Sequence, residues 1–371
     1  MTTYALDART ATNHFPGIGR YVVSMAGAMT QQLVEGERLV LLRDPTQPSV
    51  WDLGELAGGP VELVDAPLSP FRPEQQWAVP QQLREQEVDL YHSPYYLMPY
   101  LPGVPSLVTI HDLIPVRYPH YIAQTQRIIF GITVRLAARV AQRVISVSQA
   151  TAHDLADLLG LSVEKTVTIA EAAAPAFQPA SPFEVEEIRA RFDLPERYVL
   201  YLGSNKPHKN LARLVEAWAR VQPQSMPLVI AGVWDERYPE PRRRAEELEL
   251  DEEVLFLGPL AEPYLPALYT GATAFVFPSE YEGFGLPVLE AMACGTPVAC
   301  SDVSSLPEVA GDAALKLDPV DVDSIAGAIQ RLLSDPDLRA DLRERGLRQA
   351  ASFTWERTAH ETLALYRQMV E

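Results

Sequence analysis

The sequence predicts an α/β fold with parallel sheets, arranged as two successive units, and three observations predict it. Short apolar runs ending in turn residues, at 39–42, 106–110, 144–147, 199–202, 228–231, 274–277 and 297–300, alternate with helical stretches. That alternation is the pattern of parallel sheets with helices between the strands. The chain has 371 residues, 47% of them hydrophobic, enough for two cores rather than one. Near its midpoint, EAAAPAFQPASP at 171–182 carries three prolines and little periodicity, which marks an interdomain linker. The expected domains are 1–175 and 176–354. The closing segment, 355–371, is one amphipathic helix with the option of crossing back to the first domain.

Composition narrows the function. Net charge is −18, with 49 acidic against 31 basic residues, which disfavours a broad nucleic-acid surface and confines any phosphate site to a local cluster of cations. The two cysteines, Cys294 and Cys300, lack CxxC spacing and read as buried thiols rather than a disulfide or zinc ligands. The opening MTTYALDAR lacks the features of a signal peptide, and no run approaches the ~18 apolar residues of a spanning helix. A soluble, cytoplasmic protein is expected.

Taken in chain order, the first element is a strand at 4–7, followed by TNHFPGIGRYVVSMAGAM, which places Gly17 and Gly19 in a loop entering a helix. This is not the dinucleotide fingerprint, since Val22 stands where a third glycine is expected. Arg20 reads either as a phosphate partner or as a helix cap. VDLYHSPYYLMP brings His92, Ser93, Tyr95 and Tyr96 to a strand end, where aromatic faces suit a sugar or a lipid and packing is the other reading. SLVTIHDLIPVRYP ends its strand on His111 and Asp112, the place where open α/β sheets put ligand-contacting groups.

From Pro115 to His153 there is no Asp or Glu, and the helix expected over 121–143 sets Arg135, Arg139 and Arg143 on one face. Peripheral contact with anionic lipid headgroups is one reading of that stripe, and a solvated face is the other. Ser148 follows the next strand and reads as an N-cap or as the edge of a site.

In YVLYLGSNKPHKNLARLVEAW, at 198–218, a strand leads into a loop with Lys206, His208 and Lys209, cations suited to a diphosphate. The most informative segment is PSEYEGFGLPVLEAMACGTPVACSD, at 278–302. Here a strand, a glycine loop and a helix N-terminus make an anion site: Gly283 and Gly285 permit close backbone approach, and Pro287 suits the first turn. Glu282 and Glu290 supply carboxylates that accept from vicinal hydroxyls. The DxD at 321–323 reads as a helix start, not a metal motif.

These segments resemble the retaining GT-B glycosyltransferases of family 4 (glycosyltransferase group 1, mannosyltransferase-like), whose E-x7-E motif is matched by Glu282 and Glu290 within EGFGLPVLE. The resemblance implies two Rossmann-like domains facing across a cleft and transfer of a hexose from a nucleotide diphosphate sugar. It implies that Glu282 holds hydroxyls of the donor sugar, Glu290 the ribose, and the amides of Phe284, Gly285 and Leu286 the sugar or phosphate. Lys209 matches the family's lysine. The family's arginine after the loop glycine is replaced here by Ser204, leaving Lys206 as the substitute cation. Gly17, Gly19 and Arg20 match the family's glycine loop near the donor phosphates, and the resemblance implies that His111 lies beside the donor sugar.

The catalytic candidates are therefore His111, Glu282 and Lys209, with His92, Tyr95 and Tyr96 as acceptor candidates. No cofactor or metal is expected, because fixed cations take the metal's place. No carboxylate stands out as a nucleophile, which fits front-face transfer. The GIGRY and HDLIP forms resemble those of mannosyltransferases of polysaccharide and glycolipid assembly, which implies GDP-mannose and a saccharide or lipid-linked acceptor. A UDP-glucose-type donor and a silent sugar-nucleotide-binding protein stay open. The expected location is the cytoplasm, with peripheral contact at the inner face of the membrane as an option.

Overall fold

The computed structural model describes residues 1–119, 123–221 and 226–371. It divides into two compact units, Met1–Glu171 with Thr354–Glu371, and Ala172–Phe353.

Among the described residues the first unit holds a seven-stranded sheet. Its strands are β1 (Thr2–Asp7), β2 (Glu37–Arg43), β3 (Val61–Asp65), β4 (Leu90–Ser93), β5 (Ser106–Ile110), β6 (Arg143–Ser146) and β7 (Thr166–Thr168). They are ordered β3-β2-β1-β4-β5-β6-β7 and pair in parallel throughout. The second unit repeats the plan with β8 (Val199–Leu202), β9 (Leu228–Ala231), β10 (Val254–Gly258), β11 (Ala274–Phe277), β12 (Val298–Ser301) and β13 (Ala314–Leu317). Their order is β10-β9-β8-β11-β12-β13, again all parallel.

The central strands are apolar because helices cover both faces: every residue of β5, β8, β9, β11 and β12 is buried. In each sheet the order reverses once, between β1 and β4 and between β8 and β11. A reversal of this kind splays the connecting loops apart at the carboxyl ends of the strands and opens a crevice for ligands.

Local sequence explains the joints. The second unit's first helix, Pro182–Phe192, starts on a capping box in which Ser181 and Glu184 satisfy each other's amides. The closing helix Trp355–Val370 belongs to the first unit. Arg367 forks onto Glu37 (2.7 and 2.9 Å), Tyr366 packs on Tyr4, and Thr358 donates to the Ala170 carbonyl (2.7 Å). Cys294 and Cys300 are buried thiols, pushed up by burial to about 12 and about 11.

The helix expected over 121–143 is Gln124–Val140; Tyr121 and Ile122 lie outside the described residues. Gly17 and Gly19 lie inside the helix Pro16–Thr30 rather than in a loop before it, because Pro16 at the first helical position starts the helix early.

Candidate active site

In the second unit the loops after β8 and β11 meet at the strand-order reversal. The β11 loop is fastened to its neighbour through backbone carbonyls: Ser279 Oγ donates to the His208 carbonyl (3.0 Å), as does the Glu280 amide (2.7 Å). Asn210 Nδ2 donates to the carbonyls of Pro278 (3.0 Å) and Pro319 (2.6 Å). Asn210 sits at φ 62°, a left-handed conformation that asparagine tolerates better than most residues.

On the far side, Ser304 Oγ bridges the Glu282 amide (3.2 Å) and carbonyl (2.7 Å), and Ser305 Oγ contacts the carbonyls of Glu282 (3.0 Å) and Phe284 (2.6 Å). Ser304 itself is held at φ 58°, a strained conformation for a serine that the surrounding contacts enforce. The segment carrying Glu282 is thus gripped from both sides before any ligand arrives.

Within this frame Lys209 Nζ donates to both oxygens of Glu282, at 2.6 and 2.8 Å, and lies 5.2 Å from the centre of the Phe277 ring. The two side chains are 15% and 10% exposed, so a ligand reaches one edge of the pair. Gly285 caps the helix Leu286–Ala293 at φ 111°; a Cβ there would stand 2.6 Å from Leu306, so glycine is required on two counts. The Phe284 ring turns inward against Phe353 (5.8 Å), which leaves its backbone as the part that faces the loop. Glu290, one helix turn further on, is 3% exposed and accepts from the Tyr269 hydroxyl (3.0 Å).

His208 does not add the positive charge expected of it: burial, together with Lys209 and Lys206 nearby, pushes its imidazole down to about 3. Lys206 is exposed, and the Ser204 carbonyl accepts from Tyr201 Oη (2.9 Å). Among the described residues no three His, Cys, Asp or Glu side chains are grouped to hold a metal ion.

In the first unit, β5 delivers His111 between two acceptors, Glu171 Oε1 at 2.8 Å from Nδ1 and the Pro94 carbonyl at 3.1 Å from Nε2. Both partners accept, so both ring nitrogens must donate, and the doubly protonated ring fits the place. Burial alone would push the imidazole down, but the Glu171 carboxylate and nearby Asp112 hold it above its ordinary value. The His111 carbonyl accepts from Thr151 Oγ1 (3.3 Å), and the ring stands edge-on to Tyr21 at 5.0 Å, with 18% of its side chain exposed. Ser148 caps the helix Gln149–Leu159 through the Thr151 amide.

With this geometry in place, the comparisons decide the family. Residues 184–349 match the model for glycosyl transferases group 1, and residues 16–172 match glycosyltransferase family 4. The chain is 33% identical to O-antigen chain mannosyltransferase B of Escherichia coli over 299 residues, 79% of this chain and 77% of that protein. It belongs to the group 1 glycosyltransferases of family 4.

The serotype-specific mannosyltransferase WbdA of Escherichia coli is 30% identical over 275 residues, 72% of this chain but 34% of WbdA, so the chain spans about a third of that relative's length. Among solved structures, sucrose-phosphate synthase from Thermosynechococcus elongatus superposes with a TM-score of 0.77 at 26% identity, covering 100% of this chain and 99% of that one. The Anabaena HepE protein in complex with UDP and glucose gives 0.78 at 21% identity over 99% of each chain, a likeness of fold. The fold class is GT-B, and the enzyme is a hexosyltransferase that uses a nucleotide sugar.

Against that identity the residues named from sequence divide. Lys209 and Glu282, 73 residues apart, are in direct contact. The backbone of Phe284, Gly285 and Leu286 forms the entry to the helix that carries Glu290.

Three others have structural jobs. His92 is fully buried, with Nδ1 on the Tyr366 hydroxyl (2.7 Å) and Nε2 on Thr109 Oγ1 (2.8 Å), and burial pushes it down to about 3. It is a core residue out of reach of an acceptor. Tyr96 packs edge-on to the core ring of Phe130 (4.7 Å), and its hydroxyl accepts from Tyr95 (3.0 Å). At Gly19 a Cβ would lie 2.3 Å from the Trp51 ring, so that glycine makes room for Trp51, whereas Gly17 faces open space. Arg20 lies half-buried in the same helix.

Sequence reasoning passed over Glu171, Ser304, Ser305 and Tyr269. Only Glu171 left a trace, as a lone acid heading the proline-rich linker.

Proposed function

We propose that the enzyme transfers mannose from GDP-mannose, with retention at the anomeric carbon and without a metal ion, to a saccharide or lipid-linked acceptor in polysaccharide or glycolipid assembly. The observation that carries the reading is the Lys209–Glu282 pair at the β8/β11 reversal, a fixed cation held by a carboxylate suited to hexose hydroxyls. Mannose is supported by relatives named as mannosyltransferases and by the GIGRY and HDLIP segments.

In the reaction the bond between the sugar C1 and the β-phosphate oxygen breaks, and the electron pair leaves with GDP. The acceptor oxygen bonds to C1 on the same face, and its proton passes to the departing phosphate oxygen. Negative charge grows on that phosphate as the bond lengthens. Lys209, already oriented, stabilises it without reorganisation. Both carboxylates of the motif have donors in place, Lys209 on Glu282 and Tyr269 on Glu290, which supports their use for binding rather than as nucleophiles.

The test is titration with GDP, UDP, ADP and TDP in chelator-containing buffer, by thermal shift and calorimetry, on wild type and Glu290→Ala. Selective stabilisation by GDP, weakened by the substitution, is expected. NMR of the product from GDP-mannose then reads the anomeric configuration. Selective stabilisation by UDP transfers the reading to a UDP-glucose-type donor.

Contact with an anionic membrane surface is favoured by one further feature. The helix Gln124–Val140 exposes Ile128, Ile129, Ile132 and Leu136 beside Arg139, within the segment free of acids. Arg135 donates to the carbonyls of Gly131 and Leu158, and Arg143 to that of Glu164, so the isoleucines and Arg139 carry this contact rather than the three-arginine stripe. Among the described residues no helix is long and apolar enough to cross a membrane. Sedimentation with phosphatidylglycerol vesicles, lost in Ile132→Asp and absent with phosphatidylcholine, is the expected result.

A further inference from the structure

The first unit's strand-order reversal carries a feature that the donor chemistry does not use. Phe71 is 55% exposed in the loop between β3 and the helix Gln75–Glu85. Its ring lies nearly parallel to Phe15 (15°, centroids 5.7 Å apart), and His14 stands edge-on to both, at 4.6 and 5.5 Å. Phe15 in turn meets Tyr95 at 5.1 Å. The segments that follow β1 and β4 thus bring three of these rings, from distant parts of the first unit, against the Phe71 loop.

The loop that presents Phe71 is held from beneath by a buried charge. The Arg9 side chain is 0% exposed and pairs with Asp7, which also accepts from the Tyr91 hydroxyl (2.6 Å). The remaining guanidinium donors reach the Leu68 carbonyl (3.0 Å) and Gln75 Oε1 (3.2 Å), and Gln75 donates to the Pro70 carbonyl. A buried ion pair adds little net stability compared with apolar packing, and what it supplies is fixed geometry. Here the geometry fixed is that of 68–75, a surface loop with an aromatic ring turned toward solvent. Continuity with the site already described points to the occupant: the Pro94 carbonyl bonds His111, and Tyr95 is the next residue.

We propose that His14, Phe15, Phe71 and Tyr95 form a stacking subsite for a pyranose ring of the acceptor. A pyranose has one face of C–H groups to lie on the rings and a rim of hydroxyls for the His14 imidazole and the Tyr95 hydroxyl. The inference rests on the transferase reading and deepens it, giving the acceptor a saccharide unit at this position.

The test uses the full chain with methyl α-D-mannopyranoside and an α-linked mannotriose as probes, by saturation-transfer NMR and calorimetry, together with transfer kinetics. Phe71 is exposed, so Phe71→Ala should fold normally. It should weaken mannotriose binding and raise the acceptor KM by about fivefold to tenfold, a loss of one stacked ring. GDP affinity should stay as in wild type, and Phe71→Trp should restore the saccharide. Phe183→Ala, an exposed ring of the second unit, serves as the control and should change neither.

Unchanged saccharide affinity in Phe71→Ala, or no saturation transfer to either probe, overturns the subsite. A change in sedimentation coefficient in place of saccharide affinity also overturns it and assigns the face to a second copy of the chain. Failure of the donor reading registers separately, as a wrong nucleotide in the GDP and UDP titrations, while the saccharide measurements still read the platform.

Discussion

The two strand-order reversals are built from the same topology and stabilised in opposite ways. In the second unit the charged pair, Lys209 and Glu282, lies at the surface edge of the loops, and hydroxyls and amides behind it hold the backbone. In the first unit the charged pair, Arg9 and Asp7, is sealed inside, and aromatic rings lie at the surface. On the proposed reading the arrangement follows the ligand. A nucleoside diphosphate needs a reachable cation, whereas a neutral sugar face is best met by apolar rings whose geometry is fixed from below.

The largest effect is expected at the buried pair. Arg9→Met strands the Asp7 carboxylate in the core and should cost about 3–5 kcal/mol in chemical denaturation. Combining it with Asp7→Asn, which removes the uncompensated charge, should recover most of that stability. If the first unit uses the pair for geometry, the double variant should fold yet bind saccharide poorly. Saccharide affinity equal to wild type would break the contrast between the two reversals.

Next in size is Lys209→Met. It removes a charge that acts on the leaving group, so kcat should fall about 10²–10³-fold, and because Glu282 is left largely buried without its cation the fold should lose stability as well, less than at the fully sealed Arg9–Asp7 pair. Glu282→Gln should weaken both sugar binding and the placement of Lys209, raising KM as well as lowering kcat. Equal losses from the two substitutions, confined to KM, would mean that the pair is a binding clamp alone.

Much of this was legible in the sequence, and the omissions follow a rule. The runs read as strands correspond to β2, β5, β6, β8, β9, β11 and β12, interior strands of the two sheets. The strands not picked out, β3, β7, β10 and β13, are the four sheet edges. An edge strand has one neighbour and a partly open face, so β3 and β13 tolerate Glu62 and Lys316 and lose the apolar signature, whereas β10, VLFLG, keeps it and was passed over all the same.

The same logic separates the sites. In the second unit the binding loop, its helix and its carboxylates fall within one contiguous segment at 278–302, which is why it could be read. In the first unit the comparable set is scattered from Asp7 to Glu171, and the sequence left His92 between an acceptor contact and packing because a strand-end histidine looks alike whether it faces out or is locked between Tyr366 and Thr109, as it is here. Ser304 and Ser305 act on backbone carbonyls across the loop, a contact that leaves no spacing pattern.

A smaller effect concerns His111. Because Glu171 and Asp112 hold its imidazole above the ordinary value, the stability this group contributes is fully present below about pH 6.5 and is lost as pH rises through its folded value. Glu171→Gln should lower that value. The alkaline limb of kcat/KM should then move to lower pH, so that the loss relative to wild type is small at acidic pH and grows as pH rises. NMR titration of His111 in both proteins separates this from a change in binding, and an unmoved alkaline limb would mean that the His111 proton has no part in transfer.

The smallest expected effect comes from a charge pair that serves neither reversal. Arg367 and neighbouring donors draw the Glu37 carboxyl down to about 2 from an ordinary 4.5, the Arg367 hydrogen bond being the largest cause. A depressed carboxyl contributes stability that is present above about pH 4.5 and lost as pH falls through 2. Arg367→Gln should therefore cost about 1–2 kcal/mol at pH 7, and the gap to wild type should close on acidification toward pH 2. Since the pair holds the closing helix to the first unit's sheet, the loss should appear in the melting of that unit, with GDP and saccharide affinities intact. A saccharide affinity that fell along with it would mean that the acceptor platform depends on the closing helix as well as on Arg9, and the division of labour drawn between surface rings and buried charge would have to extend to the chain's last turn.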